Sequence, residues 1–143
     1  AKHVAVALKH FAHILTGGKV ADRTGFCYDP TILTCIDNNS PSFKSEFFGP
    51  VAQVYVVKSE DELVALANDS PYGLGGSVFS KDHERAKKLA SQIETGMVFI
   101  NQWTSTAPEL PFGGVKRSGY GRELGDLGIM EFVNRKLVVV AHG

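Results

Sequence analysis

Between residues 53 and 100, segments typical of strands alternate with segments typical of helices, and this order constrains the fold most. Three short apolar runs have the composition of buried strands: "QVYVV" (53–57), "SVFS" (77–80) and "MVFI" (97–100). Ser59 and Glu62 form a capping box for a helix through about Asn68, and Asp82 can cap a second helix before the last strand. A βαβαβ order predicts right-handed crossovers, a largely parallel sheet and an α/β fold.

The two ends of the chain add further predicted elements. Residues 2–15 carry apolar side chains at helical spacing and predict a helix that Gly17 and Gly18 end. "TILTCI" (31–36) predicts a strand, and residues 122–134 predict a helix that internal glycines weaken. "KLVVVA" (136–141) predicts a last strand, which is apolar nearly throughout and suits a partner's sheet better than a solvated edge.

Composition excludes several classes of protein. The 143 residues include 15 Lys and Arg and 15 Asp and Glu, so the net charge is zero, which argues against a nucleic-acid binder. No apolar run approaches the roughly 20 residues that span a bilayer, and Lys9 and His10 interrupt the only candidate for a signal peptide. Because the chain opens with Ala1 directly in a helical pattern, we expect an upstream segment. Two cysteines do not make a disulfide framework, and they indicate a reducing compartment such as the cytoplasm.

The stretch "ELPFGGVKRSGYGRELG" (109–125) contains five glycines with three basic residues between them. A phosphate cradle is one interpretation, but the last three glycines are spaced G-x-G-x-x-x-G, and no apolar strand precedes them. The order of Gly, Lys and Ser also differs from a Walker A loop. We therefore predict a tight, ordered loop in which glycines allow positive φ and close backbone approach. Lys116 and Arg117 are expected to pair at the surface or with a neighbouring subunit.

Histidine and cysteine offer weaker candidates for chemistry. His3, His10 and His13 fall on one side of the first predicted helix, where lysine neighbours favour a solvated face over a metal site. Cys27 lies between two aromatic residues and Cys35 lies in an apolar strand pattern, so both are interpreted as packing residues rather than nucleophiles.

"SEFFGPV" (45–51) presents Glu46 beside Phe47 and Phe48 in a loop. A carboxylate suits the vicinal hydroxyls of a ribose, and an aromatic ring suits a flat heterocycle. The alternative is that both phenylalanines belong to the core and that Glu46 is simply exposed.

Four stretches together resemble the C-terminal part of the NAD(P)-dependent aldehyde dehydrogenase superfamily, nearest its succinate-semialdehyde dehydrogenase-like branch: "SEFFGPV", "ALANDSPYGLGGSVFSKD", "GMVFIN" and "PFGGVKRSGYGRELG". The resemblance covers essentially the whole chain in the family's order. It implies a C-terminal portion of the catalytic domain over residues 1–134, with a parallel βαβ core, and an oligomerisation-arm strand over 135–143. The dinucleotide-binding domain, the nucleophilic cysteine and the base glutamate would lie upstream, so the chain itself would hold no catalytic residue and no metal ligand.

The resemblance also implies the roles of five residues. Glu46 matches the glutamate that binds the nicotinamide ribose, Phe48 matches the aromatic that packs near the nicotinamide, and Leu74 lies in a segment that lines the same region. Phe112 matches a position in the substrate tunnel, and Thr106 falls in the loop at the tunnel mouth. The implied cofactor is NAD or NADP, and the implied partners are a small aldehyde and identical subunits, without nucleic acid or membrane.

Two departures from the family pattern limit the assignment. Ser45 stands where the family usually has a second acidic residue. In "WTSTAP" (103–108) the small hydroxyl residues either accept a carboxylate-bearing aldehyde such as succinate semialdehyde or form an ordinary polar loop. The expected whole protein oxidises an aldehyde through a cysteine thioester, and the chain alone is expected to be inactive. The alternative is a non-catalytic, stand-alone module that adds a strand to a partner's sheet, and a third hypothesis is an acyl-transferring or reductive relative.

Overall fold

A computed structural model describes all residues, 1–143, and the chain divides into two compact units, residues 1–59 and 60–143. Both units combine helices with short strands, which confirms the predicted α/β class. No helix is both long and apolar enough to cross a membrane.

The first unit consists of one helix and one three-stranded sheet. Its elements are α1 (Lys2–Lys9), β1 (His13–Thr16), β2 (Thr31–Thr34) and β3 (Val51–Val54). The central strand β2 pairs antiparallel with β1 and parallel with β3. A small core is formed by Val4, Ala7, Ala12, Leu33 and Ile36. Aromatic rings cover this core from the side, among them Tyr55, whose phenol pKa is raised by burial.

The prediction of one helix over residues 2–15 is wrong beyond Lys9, because the chain turns there and continues as β1. Phe11 takes a left-handed backbone, φ 65°, and the Ala12 N–H donates to the Ala7 carbonyl at 3.1 Å. This is the hydrogen-bond pattern of a Schellman helix end, formed without the glycine that normally marks it in a sequence. Pairing with β2 then overrides the helical spacing of the side chains.

The second unit contains three α-helices, one 3₁₀ turn and two short ladders. Its elements are α2 (Glu60–Asn68), β4 (Tyr72–Gly73), β5 (Gly75–Val78), α3 (His83–Ala90), β6 (Met97–Ile100), β7 (Val115–Lys116), α4 (Gly125–Ile129) and a 3₁₀ turn (Met130–Phe132). Strands β5 and β6 pair in parallel, and β4 pairs antiparallel with β7.

The β5–α3–β6 segment confirms the predicted βαβ unit. The Asp82 carboxylate accepts a hydrogen bond from the Arg85 N–H at 3.0 Å, as expected of an N-cap, and Ala86 and Leu89 are buried. The strand predicted near residue 53 is β3, which pairs in parallel with β2 over four residues in the first unit. Periodicity identifies a strand, but it does not identify the strand's partner.

The C-terminal elements are shorter than predicted. The helix expected over residues 122–134 is limited to α4 and one 3₁₀ turn. Helix α4 begins at Gly125, whose φ is 55°. Residues 133–143 form no ladder, and their side chains are exposed. A strand that completes another subunit's sheet has no pairing partner within one chain, so the oligomerisation arm over 135–143 stays a prediction.

The two cysteines differ from each other. Cys27 is half-buried, whereas Cys35 is exposed just past the end of β2 with φ 56°. The interpretation of Cys35 as a packing residue is therefore wrong, because the chain turns out of the sheet one residue before it. Both thiols are free.

Candidate functional site

The glycine-rich stretch 109–125 folds into a loop that hydrogen-bonds to itself and to its neighbours. Phe112 and Glu123 exchange two backbone hydrogen bonds of 2.7 Å, which closes the loop at its base. Strand β7, inside the loop, pairs with β4, and the Gly125 N–H donates to the Pro108 carbonyl at 2.9 Å. The predicted tight, ordered loop is present.

Close backbone approach explains the glycines at the centre of this loop. A Cβ atom on Gly96 would lie 1.9 Å from the Gly113 carbonyl oxygen, and one on Gly113 would lie 2.5 Å from the Gly121 oxygen. Gly121 also has φ 81°, which other residues rarely adopt. The Arg122 guanidinium donates to the Gly114 and Gly121 carbonyls at 3.0 and 2.6 Å, so this cation stabilises the loop itself.

A pocket of about 200 Å³ lies against the loop. Its walls are largely aromatic and aliphatic, with one basic and two acidic side chains among them: Leu74, Phe112, Tyr120, Phe132, Arg122, Glu123 and Glu131. Two of the predicted site residues, Leu74 and Phe112, therefore line one pocket. Thr106 is exposed and does not line it.

Sequence reasoning did not identify Tyr120, Phe132 and Glu131 as members of this pocket. Tyr120 stands between Gly119 and Gly121, and because glycines permit many backbone conformations, no local pattern indicates that its side chain lines the pocket. Phe132 and Glu131 belong to the 3₁₀ turn, and only the early end of α4 brings them to the loop.

A polar network fastens the loop to the rest of the second unit. The Lys116 ammonium pairs with the Glu94 carboxylate at 2.8 Å and donates to the Asn68 carbonyl at 2.8 Å. Arg117, the next residue, places its guanidinium 5.8 Å from the centre of the Tyr72 ring. Both basic residues thus have partners inside the unit, as expected for a surface pair.

Replacing Lys116 by Met should lower the free energy of unfolding by about 1 kcal/mol, since the half-buried ammonium makes two contacts. Lys87→Met is the matched control, because Lys87 also pairs with a glutamate at 2.8 Å but both side chains of that pair are more than half exposed. The control should cost no more than about 0.5 kcal/mol. Thermal unfolding of the two variants checks the difference, and equal losses would show that the network adds nothing beyond an ordinary surface pair.

The predicted cofactor residues of the first unit, Glu46 and Phe48, lie on a segment without regular secondary structure in which half-buried and exposed side chains alternate. Ser45 and Phe47 are half-buried, and the Phe47 ring packs on the core and edge-to-face with His3 at 5.6 Å. Glu46 and Phe48 point the other way and are exposed. Of the two phenylalanines, only Phe47 therefore serves as a packing residue.

Phe48 is held in a backbone conformation that costs energy. Its φ is 48°, in the left-handed region, and 91% of its surface is exposed. A non-glycine residue in this region costs about 1–3 kcal/mol, and such residues cluster at ligand contacts. The Glu46 carboxylate beside it is exposed and has no hydrogen-bond or ion-pair partner within the chain. A free carboxylate and an uncovered ring fit a ligand that combines vicinal hydroxyls with a flat heterocycle.

No group of three or more His, Cys, Asp or Glu side chains lies close enough to hold a metal ion. Of the three histidines predicted to share a helix face, His3 lies in α1, His10 follows it and His13 belongs to β1.

Comparison with known proteins gives consistent matches. Residues 1–138 match the model of the aldehyde dehydrogenase family. The chain is 52% identical over 132 residues to the succinate-semialdehyde dehydrogenase (NADP+) of Deinococcus radiodurans, covering 92% of this chain and 28% of that protein. It is 51% identical over 130 residues to a probable succinate-semialdehyde dehydrogenase (NADP+) of Synechocystis sp., covering 91% of this chain and 29% of that protein.

Solved structures agree with these relatives. The succinic semialdehyde dehydrogenase of Streptococcus pyogenes, solved with NADP+, superposes with a TM-score of 0.92 at 47% identity, covering 99% of this chain and 31% of that one. The betaine aldehyde dehydrogenase of Staphylococcus aureus, solved with NAD+, gives a TM-score of 0.87 at 41% identity, covering 92% and 27%. The chain thus spans somewhat under a third of the length of these relatives, in agreement with the predicted C-terminal part. With nearly all of its residues matched by the family model, the chain belongs to the aldehyde dehydrogenase family.

Proposed function

We propose that this chain is the C-terminal part of an NAD(P)-dependent aldehyde dehydrogenase that oxidises an aldehyde to the carboxylic acid through a cysteine thioester. The cysteine nucleophile and the base glutamate of that reaction lie outside the chain. The bound nicotinamide nucleotide supplies the acceptor for the hydride. NADP is favoured over NAD, because the two curated relatives described above carry NADP in their names.

One observation carries the proposal: the family match over residues 1–138 includes an exposed carboxylate and an uncovered, strained aromatic ring side by side. We propose that Glu46 accepts hydrogen bonds from the nicotinamide ribose and that Phe48 packs near the nicotinamide ring. Their task is to orient the cofactor, and orientation of this kind lowers the barrier of the chemical step. Leu74, in the second unit, is proposed as a further cofactor contact.

The proposed substrate contacts are Phe112 and Thr106. Phe112 forms an apolar wall of the pocket beside the glycine loop, and its backbone is fixed by the bridge to Glu123. Thr106 is exposed in a segment with two further hydroxyl residues, Thr104 and Ser105. Hydroxyl groups of this segment are suited to a carboxylate at the far end of the aldehyde, so succinate semialdehyde is the proposed substrate.

Steady-state kinetics of the full-length protein test the proposal. Formation of reduced nucleotide should be seen with succinate semialdehyde, and kcat/KM should exceed that for butyraldehyde, which has four carbons as well but no carboxylate. The isolated chain 1–143 should oxidise neither aldehyde. If the full-length protein oxidised no aldehyde with either nucleotide, the enzyme assignment would be refuted. Equal kcat/KM values for succinate semialdehyde and butyraldehyde would refute only the proposed substrate.

The alternative, a stand-alone module that adds a strand to a partner's sheet, draws on residues 137–140, whose apolar side chains are exposed and unpaired. The same residues suit the proposed oligomerisation arm. An antibody raised against residues 1–143 distinguishes the two proposals. A band near three times the 15.5 kDa mass of this chain supports the enzyme, and a band at 15.5 kDa alone supports the module.

A further inference from the structure

Asn101 ends β6 in the left-handed region of backbone space, with φ 57°. Its N–H still donates to the Val78 carbonyl at 2.9 Å, which is the last rung of the β5–β6 ladder. After this rung the backbone leaves the sheet. Asn is among the few residues other than glycine that take this conformation at low cost.

The side-chain amide of Asn101 makes hydrogen bonds to the backbone that follows β5, where the Asn101 backbone no longer pairs. Its Oδ1 accepts from the Ser80 N–H at 2.8 Å, and its Nδ2 donates to the Ser80 carbonyl at 2.9 Å. One primary amide therefore satisfies both backbone groups of Ser80, which lies beyond the last pair of the ladder, Val78 with Ile100. Glycine could adopt the same φ but has no amide, so only this combination closes the end of the ladder.

The turn at Asn101 determines where residues 102–108 go. The methyl group of Thr104 lies 2.9 Å from the point that a Cβ on Gly75 would occupy. Gly75 begins β5 and pairs with Met97 at the start of β6. Three residues of extended chain cover about 10 Å, which is also the rise of β6 from Met97 to Ile100. After Asn101 the chain therefore runs back along the strand pair.

We propose that Asn101 is a positioning residue for the substrate: its amide clamp on Ser80 directs residues 102–108 and thereby places Thr106. This inference rests on the proposed function, which assigns Thr106 to the mouth of the substrate tunnel. Asn101 does not touch the aldehyde; it acts through the segment that follows it.

Asn101→Gly in the full-length enzyme tests the proposal, because glycine permits the same backbone conformation and removes the amide. The KM for the aldehyde should rise about fivefold to tenfold, because residues 102–108 released from Ser80 hold the binding conformation for a smaller fraction of the time, while the KM for the nucleotide stays unchanged. Chymotrypsin should also cleave faster after Trp103, which lies two residues beyond Asn101 and is 78% exposed.

Asn68→Ala is the matched control. The Asn68 amide also makes two hydrogen bonds to the backbone, accepting from the Glu94 N–H and donating to the Gln92 carbonyl at 2.8 Å, and neither partner belongs to residues 102–108. This variant should change neither the aldehyde KM nor cleavage after Trp103. Equal KM values for the aldehyde in wild type and Asn101→Gly, or equal increases in both variants, would overturn the proposal. An inactive wild-type enzyme would refute the proposed function, and unchanged cleavage after Trp103 would then refute the positioning role as well.

Discussion

Glu46→Gln in the full-length enzyme should lower kcat by about 10- to 100-fold and change the KM for the nucleotide much less. A hydrogen bond to a charged acceptor contributes about 1.5–3 kcal/mol, and each 1.4 kcal/mol is a tenfold change in rate. We expect the loss mainly in kcat, because the carboxylate orients one end of a long cofactor that other contacts also bind. Single-turnover measurement of hydride transfer checks this directly.

Glu84→Gln is the control for this variant, since Glu84 is also an exposed glutamate and its one partner is the surface residue Lys87. It should retain wild-type kcat. Unchanged turnover in Glu46→Gln would show that the exposed carboxylate has no role in orienting the nicotinamide. A higher nucleotide KM with unchanged kcat would assign Glu46 to binding alone.

Gly96→Ala should destabilise the protein by about 3 kcal/mol, at the upper end of the usual cost of overpacking. The added methyl group would meet the Gly113 carbonyl oxygen, the Gly113 carbonyl carbon and the Gly114 Cα at 1.9–2.7 Å. All three are backbone atoms, so relief requires movement of the glycine loop itself. Because that loop forms one wall of the pocket with Phe112, aldehyde oxidation should fall together with the midpoint of thermal unfolding.

Gly76→Ala is the appropriate comparison, because Gly76 lies in the adjacent strand β5 and its added methyl group would meet nothing closer than 3.9 Å. This variant should unfold within about 1 kcal/mol of wild type, and a small gain is expected from the stiffer unfolded chain. Similar losses in both glycine variants would mean that the close packing of Gly96 on Gly113 is not what stabilises the loop.

The elements that were predicted well are those whose signals are local. Asp82 caps α3, and the β5–α3–β6 crossover follows from short apolar runs on either side of an amphipathic helix. Failures occurred where a distant partner decides the structure. The helix predicted over residues 2–15 ends before Phe11, because residues 13–16 pair antiparallel with β2.

The site residues also divide into those with a local sequence signal and those whose role depends on a distant partner. Glu46 and Phe48 could be proposed as cofactor contacts because "SEFFGPV" resembles a stretch of the family; the local pattern alone left open that both phenylalanines belong to the core. Asn101 could not be identified, because an asparagine after a strand is common and only its contacts with Ser80 distinguish it. Lys116 was predicted to pair at the surface or with a neighbouring subunit, but it is half-buried, and its partners Glu94 and Asn68 come from segments whose approach no local pattern predicts.

At Phe48 the left-handed backbone favours replacement of the residue for stability, whereas the proposed nicotinamide contact favours keeping it. An asparagine there would relieve the strain and lose little packing, because the ring is 91% exposed. Laboratory evolution that rewards only heat resistance would therefore tend to remove Phe48, and with it the proposed nicotinamide contact. Selection for more heat-stable variants of the full-length protein should accordingly include an activity screen from the first round.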